Sequence, residues 1–343
     1  MSGQRSHRAT IVDVARLADV STATVSRMIN QTASVAPETA ARVRAAIAAL
    51  DYRPHTAARI LASRRTKTIG LVFPQISGYY FAPLLRGIAA GAGDHGYDLL
   101  IYSAQESATH RTDFQYPVGE QNTDGLLVFT DGLPEGELRR LHTIGFPVVL
   151  IHWSSPDGLD IPSVTVENKA SAYRLVDHLI TVHHRHRIVF LAGPEEHEDS
   201  HWREKGYCQA LEGRGIPVDP ALIAKGGFSK EIAYAAVERL LRDGARFDAI
   251  FAGDDDSATG ALTALLEAGM SVPEDVALVG FDDIEVAQYL NPPLTTVRTP
   301  VEQVGREAVN QLVRLVHTGE ADPLTLLPTQ LVIRRSCGCG AVH

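Results

Sequence analysis

The chain of 343 residues is poor in the features that mark secreted, membrane-spanning and disulfide-stabilised proteins. Its three cysteines, Cys208, Cys337 and Cys339, are too few for a disulfide framework. No stretch reaches the roughly 18 consecutive apolar residues of a membrane span. The N-terminus "MSGQRSHRAT" lacks the apolar core of a signal peptide. We therefore expect a cytoplasmic protein with no membrane partner.

Motifs of enzymes and metal sites are also scarce. The sequence contains neither a nucleophile elbow nor a P-loop, and no GxGxxG run follows its first predicted strand. The pair in "SCGCG" has one intervening residue and no second pair, which favours a solvated tail over zinc. We interpret "HHRHR", His183 to Arg187, as a solvated basic turn. We interpret "DDDS", Asp254 to Ser257, as a helix cap rather than a magnesium site. No catalytic residue, cofactor or metal is expected.

The net charge of −9 is distributed unevenly along the chain. Residues 1–67 hold eleven Lys or Arg against four Asp or Glu, and they carry a net charge of +7. The remaining residues hold 21 basic and 37 acidic side chains, and they carry −16. A basic head on an acidic body indicates that the head alone contacts nucleic acid.

The segment "ATIVDVARLADVSTATVSRMIN", residues 9–30, predicts two short helices separated by a tight turn. Thr10 and Asp13 have the spacing of a capping box, and Ser21 can cap the second helix. A third helix is expected to begin at Pro37, since proline suits a first helical turn. Together these helices form a unit of about 50 residues with a helix-turn-helix at its front.

The second helix has little apolar surface, and its polar face suits the major groove of DNA. Side chains that face the groove must be short or hydrogen-bonding so that the backbone can approach the bases. Thr22, Ala23 and Ser26 have such side chains, and Arg27 can reach a guanine or a phosphate. The alternative is a small helical bundle that binds protein, in which Ser and Thr are merely solvated.

The stretch "TIVDVARLADVSTATVSRMIN" resembles the opening of the lactose-repressor (LacI/GalR) family of bacterial transcription regulators, and the resemblance extends over essentially the whole chain. It implies that Thr22, Ala23 and Arg27 read bases. Ala36 departs from the Ser that usually caps the third helix of the family, which weakens this helix end by roughly 1 kcal/mol. The predicted DNA-contacting residues are Ser21, Thr22, Ala23, Thr24, Ser26, Arg27, Asn30 and Leu61.

Residues 53–67 form a linker whose helical run is too short to be stable alone in water. In the family this segment is a hinge helix that orders on operator DNA, pairs with its dimer mate and inserts a Leu into the minor groove, a position that Leu61 matches. The residues alone leave open that Ile60 and Leu61 dock on the body. The predicted domains are thus a headpiece at 1–52, the hinge, and an effector-binding body at 68–343.

After Lys67, buried-strand runs alternate with helical stretches, which predicts an α/β fold with helices on both faces of parallel sheets. The runs are "TIGLVF", "YDLLIY", "GLLVF", "PVVLI", "RIVFLAG", "DAIFAG" and "VALVGF". They are too many for one sheet of usual size, so two lobes are expected. The resemblance implies a two-lobed, periplasmic-binding-protein-like body of doubly wound sheets with three crossovers. The predicted lobes are 68–167 with 297–325, and 168–296 with 326–343.

Doubly wound sheets bind ligands at the carboxyl ends of their strands, which between two lobes means a cleft. The loops at these ends combine aromatic rings, carboxylates and one Arg, a set that suits the flat face and the hydroxyls of a sugar. The resemblance implies that Arg203 clamps the effector and that Asp282 assists it. The predicted effector-binding residues are Tyr80, Phe81, His152, Trp202, Arg203, Asp254 and Asp282.

Some positions depart from the family pattern. His152 stands where an Asp is frequent, and Asp254 stands where the family usually has Asn. These changes argue for an effector unlike lactose or a purine. Trp153 and Trp202 are each either a stacking surface for the ligand or part of the core.

The sequence therefore predicts a DNA-binding transcription regulator, expected to be a repressor, that is controlled by a small effector such as a mono- or oligosaccharide. A homodimer is expected because one small head supplies too little specificity for a palindromic operator. The tail contains no heptads, so a tetramer is not expected. The alternatives are a transport-type sugar-binding protein and a regulator that responds to a non-sugar metabolite.

Overall fold

The computed structural model describes residues 9–30, 33–52, 65–73, 79–103 and 116–340. The chain divides into two compact units, Met1–Thr66 and Lys67–His343, and each is described by itself. Most of the predicted hinge, Leu61 included, lies outside the described residues.

Within its described residues, the first unit contains three helices around a small apolar core. Its helices are α1 (Ile11–Leu17), α2 (Thr22–Asn30) and α3 (Pro37–Ala49). Each helix contributes a valine that is completely buried, namely Val14, Val25 and Val43. The predicted helix-turn-helix is confirmed, since α1 and α2 follow one another across a turn at Asp19, where φ is 49°.

Both predicted N-caps of the first two helices are confirmed. The Thr10 backbone N–H donates to Asp13 Oδ2 at 2.9 Å and the Asp13 N–H donates back to Thr10 Oγ1 at 3.4 Å, which completes a capping box. The Thr24 N–H donates to Ser21 Oγ at 3.1 Å. These bonds satisfy backbone donors that the first turn of a helix leaves without partners.

The residue that caps the third helix is Ala36, just before Pro37, and it offers no side-chain acceptor. Because the backbone there is already extended (φ −52°, ψ 137°), Ala36→Ser is expected to stabilise the headpiece by about 1 kcal/mol. Hydrogen exchange of the α3 amides in the full chain measures this gain. The control is Ala45→Ser, the same change at an exposed position inside α3, where serine is a slightly worse helix former than alanine. Equal effects of the two changes would contradict the capping argument.

The second unit contains seven helices within its described residues. They are α4 (Phe81–Asp94), α5 (Glu135–Thr143), α6 (Lys169–His183), α7 (Glu198–Gly213), α8 (Lys230–Arg242), α9 (Asp255–Glu267) and α10 (Val301–Thr318). Three pairs pack closely along their lengths: α4 with α10, α6 with α7, and α8 with α9. Across the described ranges, no helix combines the length and the apolar character that crossing a membrane demands.

The strands of this unit include all seven predicted runs. They are β1 (Thr68–Phe73), β2 (Asp98–Ser103), β3 (Gly125–Phe129), β4 (Val148–Ile151), β5 (Ser163–Val166), β6 (Ile188–Ala192), β7 (Ile223–Lys225), β8 (Ala249–Ala252), β9 (Ala277–Val279), β10 (Thr296–Arg298), β11 (Leu324–Leu327) and β12 (Gln330–Val332). The five strands that were not predicted, β5, β7, β10, β11 and β12, have only three or four residues each.

Two parallel sheets form the two lobes of the body. The first has the strand order β11-β5-β4-β3-β1-β2 and the second has the order β7-β6-β8-β9. The chain passes to the second sheet after β5, returns through β10 to α10 and β11, and leaves again through β12, which pairs antiparallel with β10. Strand β11 extends the first sheet to Leu327, beyond the boundary predicted at 325.

Both faces of each sheet are buried by apolar side chains. Along β1, Ile69, Leu71 and Phe73 pack in one cluster with α4 and α10, whereas Val72 packs in a cluster on the other face. This alternation explains why the strand reads as a continuous apolar run, as strands covered on both faces do. Polar side chains are left to the loops that follow the strands, among them His152 after β4 and Asn168 after β5.

Candidate functional site

Helix α2 presents a polar face to solvent. Thr22, Ala23 and Arg27 are exposed, and Val25 on the opposite face is completely buried. Ser21 is exposed as well, but its hydroxyl is engaged in the cap, at 2.9 Å from the hydroxyl of Thr24. An exposed surface of short side chains with one arginine has the chemistry that base edges require.

The remaining predicted DNA-contacting residues are either less exposed or lie outside the described part of the chain. Thr24 and Ser26 are half-buried on α2. Asn30 is the last residue of this helix, but its side chain lies outside the described part of the chain, as does Leu61. The described headpiece therefore supports a recognition surface centred on Thr22, Ala23 and Arg27.

In the body, a chain of hydrogen bonds crosses from the first lobe to the second. The Tyr80 hydroxyl, just before α4, lies 2.6 Å from Nε2 of His152, the residue that follows β4. Nδ1 of the same imidazole lies 2.9 Å from Oδ2 of Asp199, at the start of α7 in the second lobe. His152 has a φ of 57°, so the chain turns sharply at the end of β4 and directs the ring into the cleft.

Arg203 is the centre of this network. Its side chain is only 4% exposed, and each guanidinium nitrogen has an oxygen partner. Nε donates to Asn168 Oδ1 at 2.9 Å, Nη1 to the carbonyl of Gly253 at 2.6 Å, and Nη2 to Asp282 Oδ1 at 3.3 Å. The guanidinium carbon lies 3.9 Å from the centroid of the Phe281 ring, a cation–π contact. The segments that follow β5, β8 and β9 thus each provide one hydrogen-bond acceptor to the guanidinium of Arg203.

Asp282 is held by an unusual backbone at the end of β9. Its φ is 100° and that of Asp283 is 53°. The Asp283 carboxylate fixes this turn, because it accepts hydrogen bonds from Arg298 Nε and Arg334 Nη2, each at 2.6 Å. Burial raises the pKa of Asp282, and the charge of Arg203 opposes this rise. The strained turn therefore positions one carboxylate toward the arginine.

The electrostatics of the network favour an ionised Asp199. Burial by itself would raise its pKa, but the charge and hydrogen bond of His152, assisted by Arg203 and His197, hold the pKa well below its usual range. Asn168 Nδ2 adds a hydrogen bond to Asp199 Oδ1 at 2.8 Å. The pKa of Tyr80 is raised, first by burial and then by the charges of Asp282 and Asp199. The tyrosine therefore remains a neutral hydroxyl.

Asp254 has a different role from Arg203 and Asp282. It is the N-cap of α9 and accepts a hydrogen bond from the Ser257 N–H at 2.9 Å, so the predicted helix cap is confirmed. Burial raises its pKa to about 7, against weaker opposition from the Ser257 bond. Asp255 is completely buried and accepts from Thr296 Oγ1 at 2.7 Å. Two acidic residues of the run "DDDS", Asp254 and Asp255, therefore make hydrogen bonds within the fold.

The predicted aromatic residues occupy different surroundings. Phe81 packs edge-on against Phe73, with centroids 5.1 Å apart, and so supports Tyr80 from behind. Trp202 is 38% exposed, and its indole N–H donates to Glu198 at 2.9 Å rather than facing Arg203. Trp153 packs against a core cluster of the first lobe, which agrees with the second of its two predicted roles, a part of the core.

Four residues of the network escaped the sequence analysis. Two of them, Asn168 and Asp199, bond directly to Arg203 or His152. The other two, Thr130 and His197, each bury one polar atom, the threonine Oγ1 and the histidine Nδ1, that has no hydrogen-bond partner among the described residues. Unpaired buried polar atoms at strand ends are available to a ligand. The polar run "EEHEDSHW" carried a signal for two of these residues, whereas Asn168 and Thr130 are isolated in the sequence.

Comparisons with known proteins agree with this arrangement. The family model for bacterial regulatory proteins of the lacI family matches residues 10–55, and the model for the periplasmic binding protein-like domain matches residues 176–337. The HTH-type transcriptional repressor CytR of Escherichia coli (strain K12) is 35% identical over 332 residues, which cover 96% of this chain and 96% of that protein.

Solved structures of transcription regulators share the whole architecture. The transcriptional regulator CelR in complex with cellobiose is 31% identical, with a TM-score of 0.72 over 96% of this chain and 100% of its own. The lac repressor dimer bound to operator and the anti-inducer ONPF is 25% identical, with a TM-score of 0.83 over 96% of this chain and 99% of its own. The chain belongs to the lacI family of bacterial regulatory proteins and is a DNA-binding transcription regulator.

Proposed function

We propose that the protein represses transcription as a homodimer bound to a palindromic operator, and that a sugar bound between the two lobes of the body controls this binding. The observation that carries the proposal is the buried network around Arg203, which joins residues of both lobes. Its relatives support the first half, because CytR is a repressor and the lac repressor binds operator as a dimer. Such an operator lies on the chromosome, so the protein would act in the cytoplasm, and no catalytic step is proposed.

Each of the three domains is proposed to have its own function. The headpiece at 1–52 reads the operator, the linker at 53–67 transmits the state of the body, and the body at 68–343 binds effector and dimerises. Ligand that favours one arrangement of the lobes shifts the operator affinity by a coupling free energy of typically ~1–3 kcal/mol. Effector and operator therefore act on each other's affinity to the same extent.

Arg27→Ala is expected to lower operator affinity by about 1–3 kcal/mol and to relax the base preference at one operator position, because a bidentate contact to guanine specifies a base. Selection from a randomised operator pool, read by sequencing, measures both effects. The matched control is Arg44→Ala, which removes the same charge from an exposed position on α3. An equal loss on every sequence would make Arg27 a phosphate contact instead.

A sugar suits the cleft because its hydroxyls both donate and accept hydrogen bonds. Asp282 and Asp199 offer acceptors, Arg203 and the Tyr80 hydroxyl offer donors, and rings border the site. The CelR structure contains cellobiose, and a lacI family regulator from Enterococcus faecium contains ribose. These ligands belong to those proteins, and they define the class with which this chain should be tested.

A panel of mono- and disaccharides, together with nucleosides as the non-sugar alternative, tests the effector. A ligand present at ~100 times its dissociation constant adds ~2.7 kcal/mol to stability, which thermal unfolding detects easily. We expect one saccharide to stabilise the full chain and to change its operator affinity. Stabilisation by a nucleoside alone would replace the sugar with a base-containing effector.

A further inference from the structure

Two histidines of α6 and two cysteines of the C-terminal tail meet in the second lobe, away from the effector cleft. His178 and His183 lie near the end of the helix, and Cys337 and Cys339 lie in the run "SCGCG". One potential ligand atom from each side chain falls within 4.8 Å of all the others. The sequence analysis had assigned the cysteines to a solvated tail and His183 to a solvated turn. In the structure Cys337 is fully buried and the other three are half-buried.

The distances approach those of a tetrahedral zinc site. With zinc about 2.3 Å from sulfur and about 2.0 Å from nitrogen, a nitrogen and a sulfur of one tetrahedron lie roughly 3.5 Å apart. Cys339 Sγ lies 3.3 Å from His183 Nε2 and 3.6 Å from His178 Nε2. Two edges of the tetrahedron therefore already have about the required length, and the atoms of the remaining edges lie within 4.8 Å of one another, so each needs a contraction of at most about 1.5 Å.

Hydrogen bonds alone satisfy this cluster poorly. A thiol has one weak donor, so Cys339 can donate to only one of the two imidazoles at a time. A cation serves all four atoms at once. Thiolate and neutral imidazole are soft and borderline ligands that select zinc over calcium or magnesium, which prefer oxygen. Two thiolates also neutralise the charge of a divalent ion.

The surroundings hold the cysteines in position without a ligand. Thr295 Oγ1 donates to Cys337 Sγ at 3.1 Å and itself accepts from the Arg334 N–H at 2.8 Å. Gly338 separates the two cysteines with a φ of +108°, and a Cβ at this glycine would stand 3.0 Å from Nδ1 of His183. Only glycine allows the tail to turn there with the imidazole so close. Outer bonds of this kind orient the ligands of metal sites.

We propose that His178, His183, Cys337 and Cys339 bind one zinc ion that fixes the C-terminal tail to the end of α6. The tail is already attached to the second sheet through Ser336, whose hydroxyl donates to the carbonyl of Leu278 at 2.6 Å. The ion adds a direct link between this tail and the helix. The site is thus a structural clamp of the second lobe and lies apart from the effector network.

The experiment uses the full reduced chain, produced without a histidine tag. It is stripped with a chelator, incubated with Zn²⁺, passed through a desalting column and analysed by mass spectrometry for metals. We expect about one zinc per chain, and a thermal unfolding midpoint that rises when the stripped chain is reloaded. Reloading with Co²⁺ should give the visible absorption of tetrahedral cobalt and a thiolate-to-cobalt charge-transfer band.

Variants at half-buried ligands test the assignment while leaving the buried Cys337 in place. Cys339→Ser and His183→Gln should each lower zinc affinity by at least about 100-fold, since loss of an outer partner alone costs 10–100-fold. The matched controls are Cys208→Ser and His184→Gln, a cysteine that is not among the four clustered side chains and an exposed neighbouring histidine. Both should bind zinc as the unchanged protein does.

Three results would overturn the proposal. The first is a reduced chain that stays metal-free after incubation with Zn²⁺. The second is a zinc content that falls equally in the controls and in the ligand variants. The third is a cobalt spectrum without the thiolate band. Operator binding by the same samples provides a check that each variant is folded.

Discussion

Arg203→Ala is expected to abolish the response to the effector while the protein still binds its operator. The guanidinium bridges Asn168, Gly253 and Asp282 at the centre of the cleft, so its loss removes the donors that a polyhydroxylated ligand needs. The headpiece forms a separate compact unit and does not use this side chain. Calorimetry with the effector and a gel-shift assay with operator, on the same full chain, measure the two properties separately.

The same change also leaves buried carboxylates without their cation. Removing one member of a buried ion pair costs about 3–5 kcal/mol, so the free energy of unfolding of the body should fall by that order. Arg203→Lys separates folding from binding, because it keeps the charge but loses the planar fork. The control is Arg214→Ala, at the residue that follows the same helix, which breaks a half-exposed pair with Asp177 and should change neither property strongly. Full effector affinity in Arg203→Ala would refute the cleft assignment.

Asp254→Asn is expected to stabilise the body at neutral pH. Asparagine caps a helix as well as aspartate does, so the bond from the Ser257 N–H persists. The change removes a carboxylate that is almost completely buried, with a pKa raised to about 7 by that burial. Asparagine is also the residue usual in the family here. The gain in the free energy of unfolding should reach up to about 4 kcal/mol above pH 7.

The direction of the pKa shift of Asp254 determines the pH range in which the substitution stabilises the protein. In the unfolded chain Asp254 ionises near the ordinary aspartate pKa of 3.8, whereas in the folded chain it holds its proton until about pH 7. The penalty of the native carboxylate is therefore absent below pH 3.8, grows as the pH rises, and is complete above about pH 7. Urea unfolding of both proteins between pH 4 and pH 8 should show curves that converge at the acidic end.

A matched control is available for the pH series. Asp219 caps a single 3₁₀ turn at Pro220–Leu222, with its Oδ1 accepting from the Ala221 N–H at 3.0 Å, but its side chain is 39% exposed. Asp219→Asn should therefore give no comparable gain. A constant gain for Asp254→Asn at every pH would show that the substitution acts through packing rather than through the charge.

Strands were predictable where both faces of the strand are buried, because such a strand requires a continuous run of apolar residues. Strand β3 has the bounds of the run "GLLVF", and each of the seven runs forms a strand. Four of the five remaining strands lie at sheet edges or in crossovers, where burial on two faces does not produce a continuous apolar run. Strand β10, for example, has three residues and pairs with β12, some 30 residues later in the chain.

The site was predictable only at residues that the family resemblance marks. Arg203 and Asp282 were predicted, and the structure places them 3.3 Å apart. Asn168 and Asp199 were not, because a single amide or carboxylate at the start of a helix carries no periodic signal. The zinc cluster was missed for a related reason. Its two pairs of ligands are separated by about 150 residues of sequence, and although His178 and His183 have a spacing found in zinc motifs, Cys337 and Cys339 have only one residue between them.

The order of the strands along the chain also dictates when each lobe can form during synthesis. All four strands of the second sheet lie between Ile188 and Val279. The first sheet lacks its edge strand and its covering helix α10 until Leu327 has been made. Synthesis of the first lobe therefore begins first but ends late. The apolar face of its sheet stays uncovered until residues near the C-terminus have been synthesised. Truncations near the C-terminus should accordingly expose the first lobe to aggregation as much as the second.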